Sequence, residues 1–61
     1  MLKIIIPIRF KGERLDFALS KLLPDYSRSK ITNWIKSGDA LINQNKFKPK
    51  DKVNGYETVQ L

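Results

Sequence analysis

The sequence predicts a single small domain in which two central helices are bracketed by strands, and three features carry that expectation. Leu2, Ile4, Ile6, Ile8 and Phe10 alternate with Lys3, Ile5, Pro7 and Arg9, which is the period of a strand. Leu15, Ala18, Leu19, Leu22 and Leu23 then fall at i, i+3, i+4, i+7 and i+8, the stripe of an amphipathic helix. From Asp25 to Asn43 the chain reads as turn, second helix, glycine stop and strand.

The leading strand covers residues 1–10. Pro7 has no amide to donate to a ladder, so this strand belongs at a sheet edge. Lys11-Gly12 breaks the pattern, and a helical pair spans 14–37. Asp16, in the first turn of the first helix, complements the helix dipole. Phe17 lies on the opposite face between Arg14 and Lys21, where it packs under a neighbouring segment or stacks a base. Pro24 ends the helix, because the residue before a proline avoids the α region.

In the second helix Ser27 stands at the N-cap, where its hydroxyl accepts from an orphan amide of the first turn. Ile31, Trp34 and Ile35 form the buried stripe, and Gly38 suits the left-handed position that closes a helix. Arg28 and Lys30 stand at the positive end of the dipole, each at a cost of about 0.3–1 kcal/mol. Cations accepted there, beside amides that suit an anion, point to a phosphate contact; the plainer alternative is two solvated residues on a surface helix. Ser29, Thr32, Asn33 and Lys36 share the outer face, which carries no acid.

Residues 40–61 read as a basic hairpin and a closing strand. Ala40 to Asn43 is a short strand, Asn43 to Lys46 a turn with Asn45 as its left-handed residue, and Glu57 to Leu61 the closing strand after a second turn at Asn54-Gly55. Lys46, Lys48, Lys50 and Lys52 alternate with Phe47, Pro49, Asp51 and Val53. An extended segment would line the four lysines along one side, either toward an anionic partner or as a solvated edge.

Composition narrows the function. A chain of 61 residues makes one domain and buries only about 60% of its unfolded surface. It has neither cysteine nor histidine, which removes disulfides, thiolate and imidazole metal sites, and the usual nucleophile and general base. Phosphate loops, zinc spacings and dinucleotide fingerprints are absent, so no cofactor or metal is expected and the chain alone is not expected to be an enzyme. Twelve Lys or Arg against six Asp or Glu give a net charge of +6, which favours an anionic partner such as nucleic acid. The leading apolar run is too short to span a membrane, and a soluble cytoplasmic monomer is expected.

Gly12-Glu-Arg-Leu-Asp16, Tyr26-Ser-Arg-Ser-Lys30, Trp34-Ile35, Gly38, Leu41-Ile-Asn43, Lys46 and Asn54-Gly55 with Val59 together resemble the S-four (alpha-L) RNA-binding domain. The likeness covers Gly12 to Leu61 and is most like the domain found in RluD-type ribosomal large-subunit RNA pseudouridine synthases. The resemblance implies an α+β fold, two helices packed on a short antiparallel sheet, and structured RNA, ribosomal in these synthases, as partner. Carried over residue by residue, it implies RNA contacts by Arg14, Ser27, Arg28, Ser29, Lys30 and Lys36, and by Lys46 on the hairpin. Lys48 and Lys50 join them from the charge pattern alone. The family's hairpin often carries Asn-Gly-Lys where this chain has Asn43-Gln-Asn-Lys46, which suggests a turn one residue longer. Tyr56 also intervenes before Glu57 in the closing motif. Asp16 is not the family's catalytic aspartate, which belongs to a Gly-Arg-Leu-Asp motif of a separate domain.

The expected function is an RNA-binding module that docks a linked, C-terminal pseudouridine synthase domain. The alternatives are a stand-alone ribosome-associated RNA-binding protein, a helix-turn-helix DNA-binding protein and a protein-interaction module.

Overall fold

Pro7 stops the first strand early. In the computed structural model, which describes residues 2–61, β1 covers only Lys3–Ile5. Pairing persists one residue further, where the Ile6 amide donates to the Glu57 carbonyl at 2.9 Å. Pro7 then turns the chain into a single 3-10 turn over Ile8–Phe10. The strand expected over 1–10 is thus half strand and half turn, and Met1 lies outside the described residues. The turn breaks the alternation, leaving Ile8 exposed while Phe10 swings back into the core.

The two helices form where their periodicity puts them. Helix α1 is Leu15–Leu22 and helix α2 is Arg28–Ser37. Among the described residues no side chain caps α1. Instead its first amides are taken by a distant loop, Leu15 donating to the Asp51 carbonyl at 2.8 Å and Asp16 to that of Pro49 at 3.1 Å. Helix α2 has the local cap its sequence calls for: the Lys30 amide donates to Ser27 Oγ at 3.1 Å, and Gly38 closes it with φ +87°.

Strands β2 (Leu41–Ile42), β3 (Asn45–Lys46) and β4 (Thr58–Gln60) complete a four-stranded antiparallel sheet in the order β1-β4-β2-β3. The last strand therefore lies inside the sheet and β1 at an edge, the place expected for the leading strand, although Pro7 itself lies beyond it. Ile6, Leu15, Leu19, Ile31, Ile35, Ile42, Val53 and Val59 are fully buried between helices and sheet. The expected α+β arrangement, two helices packed on a short antiparallel sheet, is the one observed.

Three local expectations are corrected. The hairpin turn is only two residues, Asn43 and Gln44, both at positive φ (50° and 67°), and Asn45 already belongs to β3. The mirror-image twist of such a turn matches the twist of its strands, so the turn does not lengthen. Second, the lysines at 46–52 do not line one extended strand. The chain turns at Lys48, where the Lys48 amide donates to Asp51 Oδ2 at 2.8 Å and the Asp51 amide returns to the Lys48 carbonyl. It then runs antiparallel to the start of α1. Third, Glu57 precedes the closing strand and is buried. Its carboxylate accepts from the amides of Asn54 and Gly55 at 2.6 and 2.8 Å and so fixes the last turn.

Candidate nucleic-acid interface

All twelve Lys and Arg side chains are exposed, whereas Asp16 and Glu57 are buried. The surface is therefore more one-sided in charge than the composition alone indicates.

Arg14 and Arg28 meet at Asp16. Asp16 follows the first buried residue of α1, and its side chain is only 6% exposed. Arg14, one residue before the helix, lays its guanidinium on the carboxylate edge-on, Nε to Oδ1 at 3.2 Å and Nη2 to Oδ2 at 3.0 Å. Arg28, opening α2, brings Nη2 to 3.3 Å from Oδ1. The Phe17 amide also donates to Oδ1, at 2.7 Å. Both arginine side chains remain about half exposed, at 51% and 53%. The dipole cost of a cation at the start of α2 is thus offset inside the protein by a buried carboxylate. Asp16 has a larger role than the dipole complement expected from sequence.

The lysine-bearing loop joins the same end of the helices. Its backbone is bonded to the start of α1 through the carbonyls of Pro49 and Asp51, and Lys52 bridges to Arg14. Lys48 and Lys50 are carried on this exposed turn. Ser27 and Ser29 lie at the adjoining start of α2.

Lys30 is engaged differently. Its ammonium stands 5.6 Å from the Tyr26 ring centroid and 5.5 Å from that of Trp34, whose rings meet edge-on at 5.1 Å. Such contacts hold a cation over a ring face while leaving it accessible. Trp34 is accordingly half-buried: it packs against the core but also supports a surface cluster. Phe17 packs on the core as well, with the Lys21 ammonium 5.5 Å from its ring.

Lys36 and Lys46 stand apart. Lys36 is in the last turn of α2, and the Lys46 side chain passes over Gly38, where a Cβ would lie 3.8 Å from Lys46 Cδ. Ten helical residues at about 1.5 Å each separate this end of α2 from Ser27. The candidate residues thus fall into one group at the helix starts (Arg14, Ser27, Arg28, Ser29, Lys30, with Lys48 and Lys50 on the adjoining loop) and a pair, Lys36 and Lys46, at the far end. Asp16, Tyr26 and Trp34 are the participants that sequence reasoning did not assign. The neighbouring Arg14-Leu-Asp16 was the visible signal for the first of them.

Among the described residues no helix is long and apolar enough to cross a membrane. The chain resembles proteins named ribosomal large subunit pseudouridine synthase D. It is 50% identical over 54 residues to that of Neisseria meningitidis serogroup B, an alignment covering 88% of this chain and 14% of the relative. It is 44% identical over 57 residues to that of Xanthomonas campestris pv. campestris, covering 93% of the chain and 17% of the relative. Against the Escherichia coli K12 protein the identity is 49% over 51 residues, 82% of the chain and 16% of the relative. The chain thus spans 14–17% of the length of these relatives. The family model described as the S4 domain matches residues 13–59, and with both helices and most of the sheet inside that match, the chain belongs to the S4 domain family, whose members generally bind RNA.

Proposed function

We propose that this chain is the RNA-docking module of a pseudouridine synthase that modifies large-subunit ribosomal RNA. The observation that carries the proposal is the gathering of two half-exposed arginines on one buried carboxylate, beside a lysine-bearing loop, in a member of the S4 family. Arg14, Arg28 and Lys30, with Lys48 and Lys50 on the loop, contact phosphates, while Ser27 and Ser29 present hydroxyls at the edge of the same surface. Lys36 and Lys46 make a second, outlying contact for an RNA long enough to follow α2. Phosphate contacts supply affinity and orientation and leave the choice of site to RNA shape. The chain itself carries no catalysis: it holds a linked C-terminal catalytic domain on ribosomal RNA, in the cytoplasm and as a monomer. The names of the relatives and the short span of them that this chain covers support that division of labour.

The test is an NMR titration of the isotope-labelled chain with a stem–loop of large-subunit ribosomal RNA. Shifts are expected at the amides of residues 14–16, 27–30 and 48–52. Shifts confined to the outer sheet face, around Lys3, Thr58 and Gln60, would reject the interface.

A further inference from the structure

We infer that Asp16 is a positioning residue for RNA: it joins Arg14 and Arg28 into one preorganised double fork aimed at the phosphodiester backbone. The inference rests on the RNA-docking function proposed above and goes beyond it, because it assigns a role in anion recognition to a negatively charged residue.

The geometry is specific. An arginine at a protein surface has many rotamers, and fixing it on a ligand costs conformational entropy. Here that ordering is already done. Arg14 is held by two parallel hydrogen bonds to the two oxygens of one carboxylate, which fixes the plane of its guanidinium. Arg28 comes to Oδ1 of the same group from the other helix. The carboxylate is itself fixed by burial and by the Phe17 amide. Each guanidinium has five N–H donors. Arg14 spends its Nε and one Nη2 donor on Asp16, and Arg28 meets it through Nη2 alone, so both retain donors on half-exposed groups. Two cations around one anion leave a local charge of +1, with the Arg14 fork fixed in its plane and Arg28 tethered through one nitrogen. A lysine in either place keeps the charge but cannot reproduce the fork.

Asp16→Asn separates this account from simple electrostatics, because the two predict opposite signs. The substitution makes a chain of net charge +6 one unit more positive, so charge alone predicts tighter RNA binding. The amide oxygen still accepts from Phe17 at the Oδ1 position, but the NH₂ that replaces Oδ2 turns a donor toward Arg14 Nη2 and opens the Arg14 fork, and loss of the carboxylate charge weakens the hold on Arg28. Positioning predicts binding weaker by about tenfold, the size of one charge-assisted hydrogen bond. Affinity is read by fluorescence anisotropy with a labelled stem–loop of large-subunit ribosomal RNA, at a temperature where circular dichroism shows parent and variant equally folded. A double-mutant cycle excludes a merely structural role: Arg14→Lys weakens the parent but adds little to Asp16→Asn, whereas Lys48→Ala weakens both equally. If Asp16→Asn does not fold, the Arg14→Lys, Arg28→Lys pair tests the same point with net charge and carboxylate untouched, again with about a tenfold loss expected. RNA binding by Asp16→Asn, or by that pair, as tight as the parent's would overturn the positioning role and leave the docking function standing. A parent chain that binds no RNA would overturn the docking function itself.

Discussion

Gly55 lies against the backbone of Ile8: a Cβ built on Gly55 would come within 3.0 Å of the Ile8 Cα. Gly55 also has φ +99°, so two independent constraints select glycine there. The contact docks the last turn onto the 3-10 turn that follows Pro7, and Glu57 holds the same turn from inside through the Gly55 amide. Gly55→Ala is expected to destabilise the domain by at least about 1–2 kcal/mol from the left-handed backbone alone, with the clash in addition. Thermal unfolding followed by circular dichroism checks this.

Ser27 allows the cap and the interface to be separated. Ser27→Ala removes the acceptor for the Lys30 amide and is expected to cost about 1 kcal/mol. In a domain of this size that lowers Tm by roughly 4–8 °C. Ser27→Asp keeps a cap and favours the dipole, so stability is retained. Its negative charge beside Arg28 nevertheless weakens RNA binding. A melting curve and a titration of each variant show whether the two effects divide in this way.

Core packing gives a third prediction. Ile35 is fully buried in α2, and Ile35→Ala is expected to cost about 2–5 kcal/mol. So small a domain has little stability in reserve. Denaturant unfolding should show the variant largely unfolded in buffer, with RNA binding lost alongside the helical signal.

The sequence displayed the helices better than the strands, for a physical reason. α1 and α2 are written in local patterns: a stripe at helical spacing, Ser27 three residues before the amide it caps, and Gly38 at the left-handed stop. β2 and β3 are two residues each, too short to show a period, and the segment after Lys46 is held by bonds to residues far away in sequence. No local pattern announces that the Asp51 carbonyl takes the Leu15 amide. The turn after Ile42 was legible, but its left-handed residues fall at Asn43 and Gln44 instead of Asn45, because asparagine suits that conformation at either position and the register is set by pairing of Ile42 with Asn45. The candidate interface followed the same rule. Arg14 and Arg28 were visible as charges, but their meeting at Asp16 depends on how the two helices pack.

Charge reversal addresses the shared arginines. Arg28→Glu places an acid beside Asp16, so RNA binding should fall by more than tenfold and the melting temperature should drop as well. Lys48→Ala, on the exposed turn, should leave stability unchanged and lower the salt slope of RNA binding by about one.

Fluorescence-anisotropy titration of the unmodified chain, with a ribosomal RNA stem–loop and with duplex DNA of matched length at several salt concentrations, tests the docking function most directly. With Arg14, Arg28 and at least one loop lysine on phosphates, the RNA should be preferred, and log affinity should fall with log salt with a slope of about −2 or steeper. Equal affinity for the stem–loop and the DNA duplex, or binding indifferent to salt, would contradict it.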